Sequence, residues 1–247
     1  MFEPRLALAS LSGRSDAAWA SAASEHAGAA FLGGIALDEP SREAARALVA
    51  RDRDEFLPAD PIAFVDDQLS ALSETPIRAG FNLRSSSPEP IATAAAVCRA
   101  HGAICEINAH CRQEELCAVG CGETLLRESD RLREYVCAAD AEGATVSVKV
   151  RAEVDGVNLA ETARLVERAG ADAIHVDAMD SEEVIRTVTD AADLFVIANN
   201  EVRDAASVRE YLAYGADAVS VGRPSDDPRV LARIREVLDR LSREAHA

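Results

Sequence analysis

The sequence predicts an α/β fold of the (β/α)8-barrel class, and three observations predict it. Short apolar segments rich in Val, Ile and Ala alternate with helix-like segments from one end of the chain to the other, and eight such strand candidates can be read. Two of them share an entry signature. Gly170-Ala171-Asp172-Ala173-Ile174-His175-Val176 is echoed by Gly215-Ala216-Asp217-Ala218-Val219-Ser220-Val221, as expected of repeated βα units with short connections and therefore of a parallel sheet. The competing doubly wound sheet expects a G-x-G-x-x-G turn after the first strand, which Leu11-Ser12-Gly13-Arg14 does not supply. At 247 residues and 48% hydrophobic content the chain has the size and the core of one barrel domain, residues 1–247.

Taken in order, the expected strands are Arg5–Ser10, Ala29–Leu37, Pro76–Asn82, Ala103–Asn108, Ala144–Arg151, Ala173–Asp177, Leu194–Asn199 and Ala218–Gly222. In the second strand Gly33-Gly34 marks a bulge or a close backbone approach. Helices are expected over Ala17–His26 behind Asp16, over Pro40–Ala50, within Pro58–Leu72, and from Ser87 to Ala100. An irregular loop, Ala109–Thr124, leads into a helical stretch to about Ala139. Further helices follow at Leu159–Ala169, Ser181–Ala191, Ala205–Tyr214 and Pro228–Ala245, the last with Leu231, Ile234, Val237, Leu238 and Leu241 on one side.

The net charge is −17, spread along the chain, which disfavours a broad nucleic-acid surface and suits a protein working in concentrated salt. No apolar run is long enough for a membrane span. The N-terminus lacks a basic region followed by an apolar one, so a cytoplasmic protein is expected, with six reduced cysteines. Cys98 and Cys105 sit in apolar stretches and are expected in the core, with Cys117, Cys121 and Cys137 under the loop or along the helix after it. His246 is expected to be structural or exposed.

Chemistry in such a barrel sits at the C-terminal ends of the strands. There stand Ser10, Asn82, Asn108, Lys149 with Arg151, Asp177, Asn199 with Asn200, and Gly222 with Arg223. So many convergent polar groups call for a polar ligand at the barrel mouth. Lys149 is the only lysine in a chain that otherwise uses arginine, and strand alternation puts it on one face with Arg151. After strands seven and eight, where these barrels often hold a phosphate, Gly222 lets backbone N–H groups approach an anion and Arg223 can pair with it bidentately. Cys111 lies beyond strand four between His110 and Arg112, neighbours that favour its thiolate, and can serve as nucleophile or proton donor. His175 shares the face of Asp177, which suits a satisfied core histidine and a ligand contact equally. His110, Cys111, Cys117 and Cys121 could supply four metal ligands, but they contain no C-x-x-C pair and no metal centre is expected.

These motifs resemble the flavin-binding barrel of tRNA-dihydrouridine synthases, along essentially the whole chain and most strongly from Ile104 to Arg223. Glu106-Ile107-Asn108-Ala109-His110-Cys111 is similar to the family's D-[IL]-N-x-G-C-P. Gly120-Cys121-Gly122-Glu123-Thr124-Leu125-Leu126 is similar to its G-x-G-x-x-L-L, and Val148-Lys149-Val150-Arg151 to its V-K-[IV]-R. Ile197-Ala198-Asn199-Asn200 and Val221-Gly222-Arg223 match its I-x-N-G and its final x-G-R. The chain looks most like a short archaeal-type relative of the family.

The resemblance implies FMN as cofactor and NAD(P)H as the expected electron donor. Lys149 would meet the N1/O2 edge of the flavin ring, Asn82 would face it, and Ser10 and Leu11 would lie where the family has Pro-Met against it. Asn108, Asp177 and Asn200 belong to the same expected cofactor set, with Asn199, Gly222 and Arg223 on the phosphate. Cys111 would protonate one carbon of a pyrimidine C=C bond while hydride reaches the other, and Arg151 would orient substrate or flavin. Departures from the family pattern are His110 for Gly, Arg112 for Pro, Asp177 for a flavin-contacting His and Asn200 for Gly. Because the chain stops one helix after strand eight, a free small pyrimidine stands beside tRNA uridine as the expected substrate, as in the related dihydroorotate and dihydropyrimidine dehydrogenase-type barrels. Two rivals are an aldolase-like barrel with Lys149 as Schiff-base nucleophile and a catalytically degenerate barrel that binds a phosphate ligand or RNA. A homo-oligomer is compatible with all of these.

Overall fold

The computed structural model describes residues 1–245, in which eight parallel strands close into a barrel in chain order. They are β1 (Leu6–Leu8), β2 (Ala29–Ala36), β3 (Arg78–Arg84), β4 (Ile104–Asn108), β5 (Thr145–Arg151), β6 (Ala173–Asp177), β7 (Phe195–Asn199) and β8 (Ala218–Val221). The helices are α1 (Ala17–Ala22), α2 (Glu39–Val49), α3 (Pro61–Ser70), α4 (Pro88–Ala100), α5 (Glu114–Ala118), α6 (Glu123–Arg127), α7 (Ser129–Ala141), α8 (Leu159–Arg168), α9 (Val184–Thr189), α10 (Ala205–Ala213) and α11 (Pro228–Ala245). The predicted barrel is thus the observed one. His246 and Ala247 lie outside the described residues. No helix among the described residues is long and apolar enough to cross a membrane.

Strand alternation divides the buried side chains into two sets. Leu6 and Leu8, Val146, Val148 and Val150, Ile174 and Val176 belong to the large apolar cluster shared with the helices. The intervening positions point into the barrel. Low in the barrel these are Ala7, Ala29, Phe31, Ile104, Ile197 and Ala218, which with Phe2 form a separate cluster closing the floor. Phe31 needs space across the barrel, and Gly80 provides it, because a Cβ there would stand 2.7 Å from the Phe31 ring. Higher up, the inward positions are polar: Asn82, Glu106, Ser147, Lys149, Arg151, His175 and Ser220, all buried.

Three local features that the sequence exposes acquire a cause. The repeated Gly-Ala-Asp is an αβ connection. Gly170 and Gly215 adopt φ of +104° and +96° after their helices. Asp172 and Asp217 then accept the N–H of Val146 and of Val196 on the neighbouring strand, each at 2.8 Å. The β2–β3 register shifts at Gly33/Ile35, and a Cβ on Gly34 would come within 2.6 Å of Asn82 Oδ1 and 2.8 Å of Arg84 Nε. The double glycine therefore makes room for two polar side chains of β3. Gly122, with φ +59°, lies against the Cys111 carbonyl, where any Cβ would collide. Glu123, one residue on, donates its N–H to that carbonyl at 2.8 Å.

Two expectations shift. The strand expected to end at Asn82 runs on to Arg84, because Leu83 still packs in the apolar cluster and Arg84 is held by a buried ion pair. The loop expected to be irregular over Ala109–Thr124 contains the helix α5, while Cys137 lies exposed on α7, the helix after the loop, and Cys98, Cys105 and Cys121 are buried.

Gly102 also has positive φ, +63°, but open space around it. Gly102→Ala is expected to cost about 1 kcal/mol, the price of the backbone conformation alone. Gly122→Ala is expected to cost about 3 kcal/mol or more, since the loop before α6 must move. Urea denaturation of the two variants checks this, and equal losses would contradict the close packing at Cys111.

Candidate active site at the barrel mouth

Above the apolar floor a hydrogen-bonded chain crosses the barrel interior. Glu106 Oε2 meets His175 Nδ1 at 2.7 Å, and His175 Nε2 meets Ser220 Oγ at 2.8 Å. The other carboxylate oxygen accepts Asn82 Nδ2–H at 2.7 Å, and Asn82 Oδ1 accepts Asn108 Nδ2–H at 2.7 Å. Asn108 Oδ1 in turn accepts the backbone N–H groups of His110, 3.3 Å, and Cys111, 3.1 Å. The network links β8, β6, β4 and β3 and ends by shaping the loop after β4.

Lys149 stands in this interior, 2% exposed. Burial pulls its pKa below the ordinary lysine value, and the charges of Glu106 and Asp177 pull it partly back. Burial alone would raise Glu106, but His175, Lys149 and the Asn82 amide outweigh it and hold the carboxylate below its usual range. Burial and then the Lys149 charge pull the His175 pKa below the ordinary histidine value, and the Glu106 carboxylate beside it pulls it partly back. Among the described residues no protein group hydrogen-bonds Lys149 Nζ.

A cavity of about 490 Å3 opens over Lys149 at the C-terminal ends of the strands. Of the residues expected from sequence, it brings together Ser10, Leu11, Lys149, Asp177, Asn199, Asn200, Gly222 and Arg223 on its walls. Asn200 holds φ +97° where the resembled pattern has Gly, anchored by its amide on Met179 O at 2.7 Å. Asn199 Nδ2 donates to Ser220 O at 3.3 Å. A Cβ on Gly222 would meet only Leu11, at 4.0 Å, so the bare face of this residue fronts open space.

Four expected residues are not on these walls. Asn82 and Asn108 are buried in the network beneath, because Asn82 lies two residues inside its strand instead of at the strand end. Arg151 is tied to Glu123 of α6 at 3.2 Å. Cys111 packs against Ala44, Leu48, Leu116 and Cys121.

His110 lines the cavity in place of Cys111. Its Nδ1 is buried without a hydrogen-bond partner. Burial, then the charges of Lys149, His175, Arg84 and Arg151, hold its pKa well below the ordinary histidine value, so it is neutral. The sequence also concealed Arg84–Glu55, a 2.6 Å ion pair with both side chains almost fully buried, which additionally binds Ser12 Oγ. A signal for the inner network was present: Glu106 is a lone carboxylate in the apolar strand AICEIN, on the same face as Asn108. For His110 and Arg84–Glu55 no periodicity gives a comparable signal.

Histidines whose pKa is lowered on folding bind protons less readily in the folded chain than in the unfolded one. Their contribution to stability is complete above the unfolded value of 6.5 and is lost as pH falls below it. Glu106, with its lowered pKa, adds a further loss only below 4.5. Unfolding free energies from urea titrations are expected to be level from about pH 7 to 8 and to fall towards about pH 5, by at most about 1.4 kcal/mol per pH unit for each histidine whose pKa is lowered. His110→Gln is expected to flatten that slope, and an unchanged slope would show that His110 is free to ionise.

The comparisons with known proteins bear on the fold and the family. The Dus (dihydrouridine synthase) family model matches residues 54–246. Uncharacterized protein MJ0144 of Methanocaldococcus jannaschii is 25% identical over 210 residues, 78% of each chain. Among solved structures, the DHODH of Eimeria tenella superimposes with a TM-score of 0.71 at 15% identity, covering 98% of this chain and 82% of that one. FabK (M276A mutant) of Thermotoga maritima gives 0.61 at 19% identity, covering 91% of this chain, which spans only 63% of that protein. The two structural likenesses show the fold, while the family match extends over most of the sequence, from before α3 through α11: the chain belongs to the dihydrouridine synthase family.

Proposed function

We propose that the chain is an FMN-dependent oxidoreductase acting on a C=C bond of a pyrimidine-type substrate, with FMN held in the mouth cavity. The observation that carries this is Lys149, the chain's one lysine, buried beneath that cavity with its ammonium unbonded by the protein. The ammonium opens onto the cavity with its protons free, so a ligand acceptor seated there would meet it. The cavity also has the size of a cofactor site, about 300–1,000 Å3 in general. Its open face at Gly222, with Arg223 beside it, supplies the donors a phosphate requires. Family membership supports the same chemistry.

FMN, when bound, exchanges a hydride with one carbon of the double bond. Lys149 would give the ring a fixed positive partner, with Asp177 across the cavity. Ser10 and Leu11 would cover the ring, and Asn199, Asn200, Gly222 and Arg223 would hold the phosphate. Asn82 and Asn108 would act from below, through Glu106 and through the loop after β4, and Arg151 through Glu123. NAD(P)H is the proposed electron donor, and the substrate is a free pyrimidine or a tRNA uridine.

Two groups of the loop after β4 can exchange the proton at the second carbon. Cys111 occupies the cysteine of the family motif. His110 lines the cavity with its pKa held well below the ordinary histidine value, which suits it to accept a proton when a dihydropyrimidine is oxidised. Microscopic reversibility lets one group serve both directions. Position on the cavity wall favours His110. A Schiff-base role for Lys149 is the second reading, favoured by its lowered pKa; borohydride trapping of a carbonyl substrate on that residue would establish it.

Arg223→Ala is expected to weaken FMN by about tenfold or more while leaving riboflavin, which lacks the phosphate, unchanged. Flavin-fluorescence titration reads both, and an equal effect on the two flavins would remove Arg223 from the phosphate. In FMN-loaded protein, His110→Ala is expected to lower turnover of a pyrimidine or dihydropyrimidine by about 10²-fold, with Cys111→Ala close to wild type. The reverse ranking would return the proton to Cys111.

A further inference from the structure

A second cavity of about 600 Å3 opens beside the first, and Ser10, Leu11 and Arg223 line both. Its other walls carry Arg14, Arg53, Arg112 and Gln113, with Asp52 and Asp54. Arg14 is neutralised by Asp226 at 2.6 Å. Among the described residues Arg53, Arg112 and Arg223 make no ion pair within 4 Å, although Arg53 shares with Arg51 the electrostatic field of the Glu115 carboxylate, which is bonded to Arg51. Three guanidinium groups without a bonded carboxylate, against two carboxylates, make this wall cationic in a chain whose net charge is −17. Exposed arginines gathered around one concavity repel each other unless an anion lies between them, and their planar forks match phosphate oxygens in pairs.

We propose that this vestibule binds the phosphate group of the substrate, which makes the substrate a pyrimidine nucleotide with its base in the mouth cavity. The inference rests on the flavin reading of that cavity and adds the substrate's charge to it. Arg53 and Arg112 contact the phosphate, Gln113 offers an amide donor, and Arg223 marks the boundary with the flavin site. The acidic remainder of the surface opposes a long polyanion, so the vestibule serves a mononucleotide.

The test is calorimetric titration of FMN-loaded protein with uridine monophosphate, uridine, inorganic phosphate and a short oligouridylate. Uridine monophosphate is expected to bind about tenfold or more tighter than uridine, with a preference that falls as salt rises. Inorganic phosphate is expected to compete with the nucleotide and not with the nucleoside. The double variant Arg53→Ala/Arg112→Ala is expected to abolish the preference while leaving FMN affinity unchanged. Both side chains are exposed and bonded to no carboxylate, and the salt series on the unmodified protein supplies a second measurement that needs no variant. Equal affinities for nucleotide and nucleoside, or a preference that survives the double variant, would overturn the vestibule. An oligouridylate binding far more tightly than the mononucleotide would overturn the mononucleotide assignment in favour of RNA. FMN binding is read by fluorescence in the same samples. Loss of FMN binding refutes the flavin reading, whereas bound FMN without nucleotide preference refutes only the vestibule.

Discussion

The charge of Lys149 is the constraint on which the rest of the site depends. An ammonium inside a barrel is strongly unfavourable unless an opposite charge and further hydrogen bonds accompany it. Glu106 supplies the charge, and it remains ionised because Asn82 and His175 each satisfy one of its oxygens. The same partners extend the network to Ser220 on one side and to Asn108 on the other. Neutralising one lysine therefore braces β3, β4, β6 and β8 together, and fixes the backbone that carries His110 and Cys111.

Family motifs acquire separate physical tasks in this arrangement. Glu106-Ile107-Asn108 sends two polar side chains inward and one apolar side chain outward. Gly120 and Gly122, both with positive φ, let the chain fold back on the Cys111 carbonyl, and Glu123 then reaches Arg151. Lys149 and Arg151 share a face but differ in role, since one lies beneath the cavity and the other is bound to α6. The apolar floor around Phe31 closes the barrel below, so ligand access is from the strand C-termini, where Asn199, Gly222 and Arg223 stand.

The barrel was legible because each of its signals is local. Alternating Val146, Val148 and Val150 identified both the strand and the inward face, and Asp16 identified a helix start that it caps through the Trp19 N–H. The glycine–aspartate echo encoded one connection used twice. Depth in the barrel was harder to read. Asn82 was read as a strand end, and an error of two residues in that end moved it from the interior to the rim. The loop after β4 has no periodicity, so sequence could not say which of His110 and Cys111 faces the cavity. Arg84–Glu55 joins segments 29 residues apart and leaves no pattern in either.

The central claim is that the cavity over Lys149 holds a flavin, and the visible absorption spectrum of the purified protein tests it most directly. The account predicts a flavin band from one FMN per chain, either present on purification or acquired on incubation with FMN, and released when the protein is denatured. A colourless protein that takes up no FMN would contradict it.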